Sequence, residues 1–229
     1  MGPTRRNILF ISGTRADFGK LKPLILRIKS ENRFEVQVFT TGMHMLSRYG
    51  STWQEVATVM GGALHPFLNQ GPKDSMDQVL AKTISGISDY VRERSPDLIV
   101  VHGDRVEALA GAIVGSLNNT LVAHIEGGEL SGTVDEILRH AISKLSQIHF
   151  VANEAAANRL LRMGESPSSV HTIGSPDIDI LKSPDLPTSI EAKTHYEINF
   201  EEYNIVILHP VTTETVSYTH LTLPTNREV

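Results

Sequence analysis

The sequence predicts an α/β chain built as a doubly wound, Rossmann-like parallel sheet. Two observations carry this. Short, almost wholly apolar runs alternate with longer amphipathic stretches over most of the 229 residues; strands that read as apolar throughout are those covered on both faces by crossover helices. The longest amphipathic stretch, Met76–Arg94, places Met76, Val79, Leu80, Ile84, Ile87 and Val91 three or four residues apart, as one helix face requires.

In chain order the predicted strands are Asn7–Ser12, Phe34–Thr40, Leu98–His102, Thr120–Ile125, Ile148–Val151 and Val170–Ile173. The predicted helices are Phe18–Ser30, Met76–Arg94, Val106–Leu117, Val134–Leu145 and Ala155–Met163. The pattern changes after Leu181. Lys182–Pro187 is polar and proline-rich, as a linker is. A charged stretch over Glu191–Asn204 follows, and Ile205–Leu208 reads as the first strand of a second α/β unit. The expected organisation is one domain over residues 1–185 and a linker with the start of a second domain over 186–215. Residues 216–229 are expected to be a non-native tail. Val216–Val229 lacks the helix pattern due after a buried strand and resembles the conceptual translation of a transposase-type sequencing adapter.

Bulk composition narrows the partners. Apolar residues make up 40% and charged residues 21%, with a formal net charge of −5. That balance fits a soluble domain and argues against nucleic acid or an anionic membrane as partner. The absence of cysteine excludes disulfides and thiolate metal sites and fits a reducing cytoplasm. The first apolar run is only of strand length, so no leader or membrane span is expected there.

In open parallel sheets, ligands bind beyond the carboxyl ends of the strands. After the first strand comes GTRADFGK, which is neither a phosphate-binding P-loop nor a dinucleotide fingerprint. A glycine turn opening a helix still presents N–H groups to an anion, and Arg15 and Lys20 add positive charge. The plain alternative makes Asp17 a cap and leaves both cations in water. After LIVVH comes Asp104, placed either for acid–base work or to cap the next helix together with Glu107. After TLVAHI comes Glu126, with Gly127, Gly128 and Glu129, and then Thr133, Asp135, Glu136 and Arg139 around a helix start. Thr133 and Glu136 fit a capping box, and Asp135 and Arg139 fit an ion pair one turn apart. Glu126 has no such structural use: a carboxylate closing a buried strand costs desolvation and needs a partner. His102 and His124 end adjacent strands beside these acids, but no metal-ligand spacing accompanies them, so no metal is expected.

GTRADFGK, VHGDR, HIEGGELSGTVDE with the following ILRHAISKL, and IGSPDID resemble the hydrolysing UDP-N-acetylglucosamine 2-epimerases of sialic acid synthesis. A close cousin of that family acts on UDP-2,4-diacetamido-trideoxy sugars for legionaminic acid. The resemblance covers about Arg6 to Thr213. The E-G-G-E and short S-G-T-V-D-E segments differ from the E-A-G and longer P-E-E loop typical of the non-hydrolysing branch. The resemblance implies the N-terminal half of a two-domain glycosyltransferase-B fold with substrate in the cleft. It implies Asp104, Glu126 and Asp135 as catalytic carboxylates, joined by His209 from the second domain. Arg15 and Lys20 match positions near the diphosphate and sugar, and His44, Arg139 and Asp177 match further substrate positions. The implied substrate is a nucleotide sugar, with no cofactor, and the complete protein is implied to be a homo-oligomer. The implied reaction is anti elimination of UDP to a 2-acetamidoglucal, followed by hydration to the manno sugar. Because uridine contacts belong to the second domain, the 229-residue chain is expected to be inactive alone.

Overall fold

The computed structural model describes residues 5–184 and 186–206. Two compact units divide the chain, Met1–Leu186 and Pro187–Val229. The first opens with β1 (Arg6–Ser12), α1 (Arg15–Lys29), β2 (Phe34–Thr40), α2 (Trp53–Met60) and β3 (Leu64–Pro66). It continues with α3 (Met76–Arg94), β4 (Leu98–His102), α4 (Val106–Leu117), β5 (Leu121–Ile125) and α5 (Val134–Leu145). It ends with β6 (Ile148–Val151), α6 (Glu154–Arg162), β7 (Val170–Thr172) and α7 (Asp177–Leu181).

All seven strands run parallel, in the order β3-β2-β1-β4-β5-β6-β7. Strand order therefore reverses between β1 and β4, the switch point at which ligands bind in such sheets. The two strands meet only over Ile8–Phe10 against Leu98–Val100, whereas β1 pairs with β2 from Arg6 to Ser12. The β1–β4 ladder ends at Phe10 and Val100, two residues short of the end of each strand, at the place where a doubly wound sheet has its ligand crevice.

Alternate residues of each strand feed two helical layers. Leu9 and Ile11 pack with Ile99, Val101 and Val122 under α3, α4 and α5, through Ile87, Val91, Leu109 and Ile142. Ile8 and Phe10 pack with Val36, Val38 and Val100 under α1 and α2, through Phe18, Leu21, Ile25, Val56 and Met60. Fully burying such a side chain stabilises by about 1.5–3 kcal/mol. α1 begins three residues earlier than its apolar pattern suggests. Thr14 caps it and Asp17 completes a capping box, so the helix starts at Arg15.

In the second unit, α8 (Ser189–His195) starts at a capping box of Thr188 and Glu191. Lys193 donates to the carbonyls of Phe200 and Glu201 and lies over the Tyr203 ring. Ile205 and Val206 are exposed and form no strand; the remainder of the predicted Ile205–Leu208 strand lies outside the described residues. The same holds for His209 and for the whole of Val216–Val229. Among the described residues, no helix is long and apolar enough to cross a membrane.

Candidate active site

β5 ends at Ile125, and the chain leaves the sheet in a single residue. Glu126 adopts a left-handed backbone, φ 58°, which costs a residue with a side chain about 1–2 kcal/mol. Its N–H donates to Phe150 O at 2.8 Å, which ties the turn to β6. The next two residues have no room for a side chain. A Cβ on Gly127 would lie 2.8 Å from His124 Nδ1 and Ser143 Oγ, and one on Gly128 would lie 2.6 Å from Ala156 O. The Glu-Gly-Gly sequence thus lets the loop rest directly on α5 and α6 while one carboxylate turns into the crevice.

That carboxylate is the hub of the site. Lys20 Nζ from α1 donates to Glu126 Oε2 at 2.8 Å, and His102 Nε2 from the end of β4 lies 2.9 Å from the same oxygen. Ser175 Oγ, just past β7, donates to Oε1 at 2.6 Å. Burial alone raises the carboxyl pKa, but the bonds from His102, Lys20 and Ser175 outweigh it and hold Glu126 well below the usual carboxylate range. Lys20 also pairs with Asp177 at 3.2 Å. Burial lowers its pKa, yet Glu126 and Asp177 together more than reverse this and leave it raised.

Asp104 follows β4, one strand from Glu126, and pairs with Arg139 of α5. The cap expected of Asp104 does not form, because the N-cap of α4 is Arg105. Nor does Arg139 bind Asp135 one turn away; it reaches across to Asp104 instead. Asp135 is exposed in the first turn of α5, with its Oδ2 accepting from Thr133 Oγ1 at 3.2 Å and no cation within 4 Å among the described residues. The capping box expected of Thr133 and Glu136 is replaced by two separate arrangements. Thr133 Oγ1 accepts from Asp135 N, while Glu136 accepts from the N–H groups of Ser131 and Gly132.

Two of the predicted substrate positions lie apart from this hub. Arg15 starts α1 but is largely exposed and pairs with Glu55 of α2 at 3.2 Å. His44 is fully buried. Its ring nitrogens meet Ser12 Oγ at 2.9 Å and Thr52 Oγ1 at 2.7 Å, so it braces the loop after β2 and offers no free nitrogen to a ligand. Ser175 was not singled out from the sequence, although it obeys the rule that located the others: a polar residue just beyond a strand's carboxyl end. Among the described residues no group of three or more His, Cys, Asp or Glu is arranged to hold a metal.

His124 is a brace of the same kind. Its Nε2 donates to Gly103 O at 2.7 Å, and its Nδ1 accepts from Ser143 Oγ at 3.0 Å. Burial pushes its pKa down from 6.5 to about 3. The unfolded chain therefore binds this proton first as pH falls. The contribution is whole above pH 6.5 and is lost downward toward pH 3, at up to about 1.4 kcal/mol per unit. Denaturant unfolding at pH 7.5 and pH 5 is expected to show lower stability in acid. The H124Q variant should flatten that slope by about one proton, and an unchanged slope would overturn the assignment.

Residues 26–223 match the family model described as UDP-N-acetylglucosamine 2-epimerase. A protein of that name from Neisseria meningitidis serogroup B is 52% identical over 209 residues, covering 91% of this chain and 55% of its own length. A hydrolysing UDP-N,N'-diacetylbacillosamine 2-epimerase from Legionella pneumophila is 35% identical over 213 residues, 91% of this chain and 56% of the other. The chain thus spans about half the length of the curated relatives it matches. The crystal structure of a UDP-GlcNAc 2-epimerase from Neisseria meningitidis bound to UDP-GlcNAc superposes with a TM-score of 0.70 at 24% identity, covering 84% of this chain and 53% of that one. A lipopolysaccharide outer core galactosyltransferase shares the fold at a TM-score of 0.54 and 11% identity, over 73% of this chain and 45% of the other. The fold is that of the N-terminal half of a glycosyltransferase-B arrangement. With the family model spanning most of its length, the chain belongs to the UDP-N-acetylglucosamine 2-epimerase family.

Proposed function

We propose that the complete protein is a hydrolysing UDP-N-acetylglucosamine 2-epimerase, converting UDP-GlcNAc and water to N-acetylmannosamine and UDP. The observation that carries this reading is the pairing of two strand-end carboxylates with helix cations, Glu126 with Lys20 of α1 and Asp104 with Arg139 of α5, beyond the carboxyl ends of β5 and β4, in a family member with the E-G-G-E and S-G-T-V-D-E segments. In the elimination a carboxylate takes the C2 proton, the C1–O bond breaks, and UDP leaves with the bonding pair. In the hydration a hydroxyl adds to C1, and a proton returns to C2 on the other face.

The electrostatics divide the labour. Glu126, held ionised by three donors, is a weak proton acceptor and serves as the anion that orders Lys20 and His102. Asp135, without a cation partner among the described residues, suits proton transfer to or from the sugar. Asp104, fixed by Arg139, suits accepting a hydrogen bond from a sugar hydroxyl.

The 52% identical relative, named for N-acetylglucosamine, favours that sugar over the diacetamido one. Incubation of the complete protein with each UDP-sugar, with UDP release and the sugar product followed by NMR, tests the proposal. Free UDP with N-acetylmannosamine is expected. UDP-N-acetylmannosamine would identify a non-hydrolysing enzyme, and binding without turnover a nucleotide-sugar-binding module. The 229-residue chain alone is expected to release no UDP. Remote uridine binding supplies much of the positioning, which in favourable cases lowers barriers by roughly 7–11 kcal/mol.

A further inference from the structure

One carboxylate at the crevice edge has no part in the hub. Glu107, in the first turn of α4, is only 2% exposed. Burying a charge so completely costs several kcal/mol unless it is paired, and a helix N-terminus offsets only about 0.3–2 kcal/mol of that. The chain makes deliberate room for it. A Cβ on Gly13, after β1, would lie 2.9 Å from Glu107 Cγ and Cδ, and one on Gly42, after β2, would lie 2.4 Å from Oε1. Gly42 has φ 62° and is held by Asn69 Oδ1 at 3.0 Å. Two loops thus form a socket with no side chains of their own on that side.

The carboxylate seated in this socket holds the neighbouring guanidinium in turn. Glu107 Oε2 accepts from Arg105 Nε at 3.3 Å. Arg105 is half-exposed and meets no other side chain among the described residues, so Nη1 and Nη2 stay open beyond the carboxyl end of β4. Of the other cations nearby, Lys20 is engaged by Glu126 and Asp177 and Arg15 by Glu55. Arg139 meets Asp104 through Nη2 and keeps its Nε and Nη1 buried without a partner among the described residues, so Arg105 is the half-exposed guanidinium with its terminal fork open. A guanidinium gripped at Nε has its terminal fork pre-set for an oxyanion.

We propose that Glu107, seated between Gly13 and Gly42, is a positioning residue that holds Arg105 with its terminal nitrogens free for the departing diphosphate. This rests on the hydrolysing-epimerase reading above. The complete protein is tested by calorimetry with UDP and with inorganic pyrophosphate, and by kinetics of UDP release. R105A is expected to weaken both anions about 10–100-fold and R105K nearly as much, because lysine keeps the charge but loses the grip at Nε. E107Q is expected to weaken them several-fold in the parent and not at all in the R105A background. It should lower kcat more than it alters KM, since charge on the diphosphate grows in the transition state.

A purely structural Glu107 would lower Tm while leaving anion affinity and the kcat-to-KM split unchanged, and that result overturns the proposal. Should E107Q fail to fold, unchanged anion affinity in R105A and R105K overturns it equally. Anion binding that follows the expected pattern without sugar turnover would instead sink the enzymatic reading and leave the clamp standing.

Discussion

Substituting Glu126 by glutamine is expected to lower kcat for UDP release in the complete protein by about 10²–10⁴-fold. The amide keeps the shape but removes the charge that three donors share. Its NH2 group also meets Lys20 or His102, which are donors themselves at 2.8 and 2.9 Å. Lys20 would keep only Asp177 and swing toward it. The mispaired donors should cost about 1–3 kcal/mol of stability, far less than the catalytic loss. Parallel measurement of coupled UDP release and of Tm separates the two effects. A kcat within threefold of the parent would show that Glu126 is only a tether.

The second large effect is steric. Gly128→Ala is expected to destabilise the first unit by about 2–5 kcal/mol, from overpacking plus left-handed backbone in a residue with a side chain. The added Cβ falls 2.6 Å from Ala156 O and 3.1 Å from Leu160 Cγ, at φ 77°. Ala156 and Leu160 are fully buried, so neither yields easily. At 2–4 °C per kcal/mol this lowers Tm by roughly 4–20 °C. Thermal unfolding checks it. A variant melting within 1 °C of the parent would show that α6 shifts to admit the methyl.

The fold was legible because its signals are local. The six apolar runs are strands in the structure, and Met76–Arg94 and Val106–Leu117 are helices with those ends. The omissions have local causes too. β3 is only Leu64–Pro66, too short to show periodicity. α2 is one brief helix whose buried Val56 and Met60 stand four residues apart. α8 carried a readable signal, the Thr188–Glu191 box, inside a stretch dominated by its charge.

The site was legible only as positions. Glu126 stood out because a strand-end carboxylate needs a partner, but its partners come from α1, β4 and the turn after β7. No spacing rule encodes that meeting. Local rules even misdirected: Asp135 and Arg139 have the separation of a helical pair, yet Arg139 binds Asp104, 35 residues away. Glu107 was read as half of a cap, and its burial emerged only with the two glycines packed against it.

The short seam between β1 and β4 carries a broader consequence. Those strands share a register only over Ile8–Phe10 and Leu98–Val100, so the position of the crevice is set by how the strands pair. Exposed residues beyond the strand ends and outside the packed glycine turns, such as Asp135, can therefore vary at little cost to the core. A sheet of this kind can take a different ligand by changing a handful of strand-end residues while the core stays as it is.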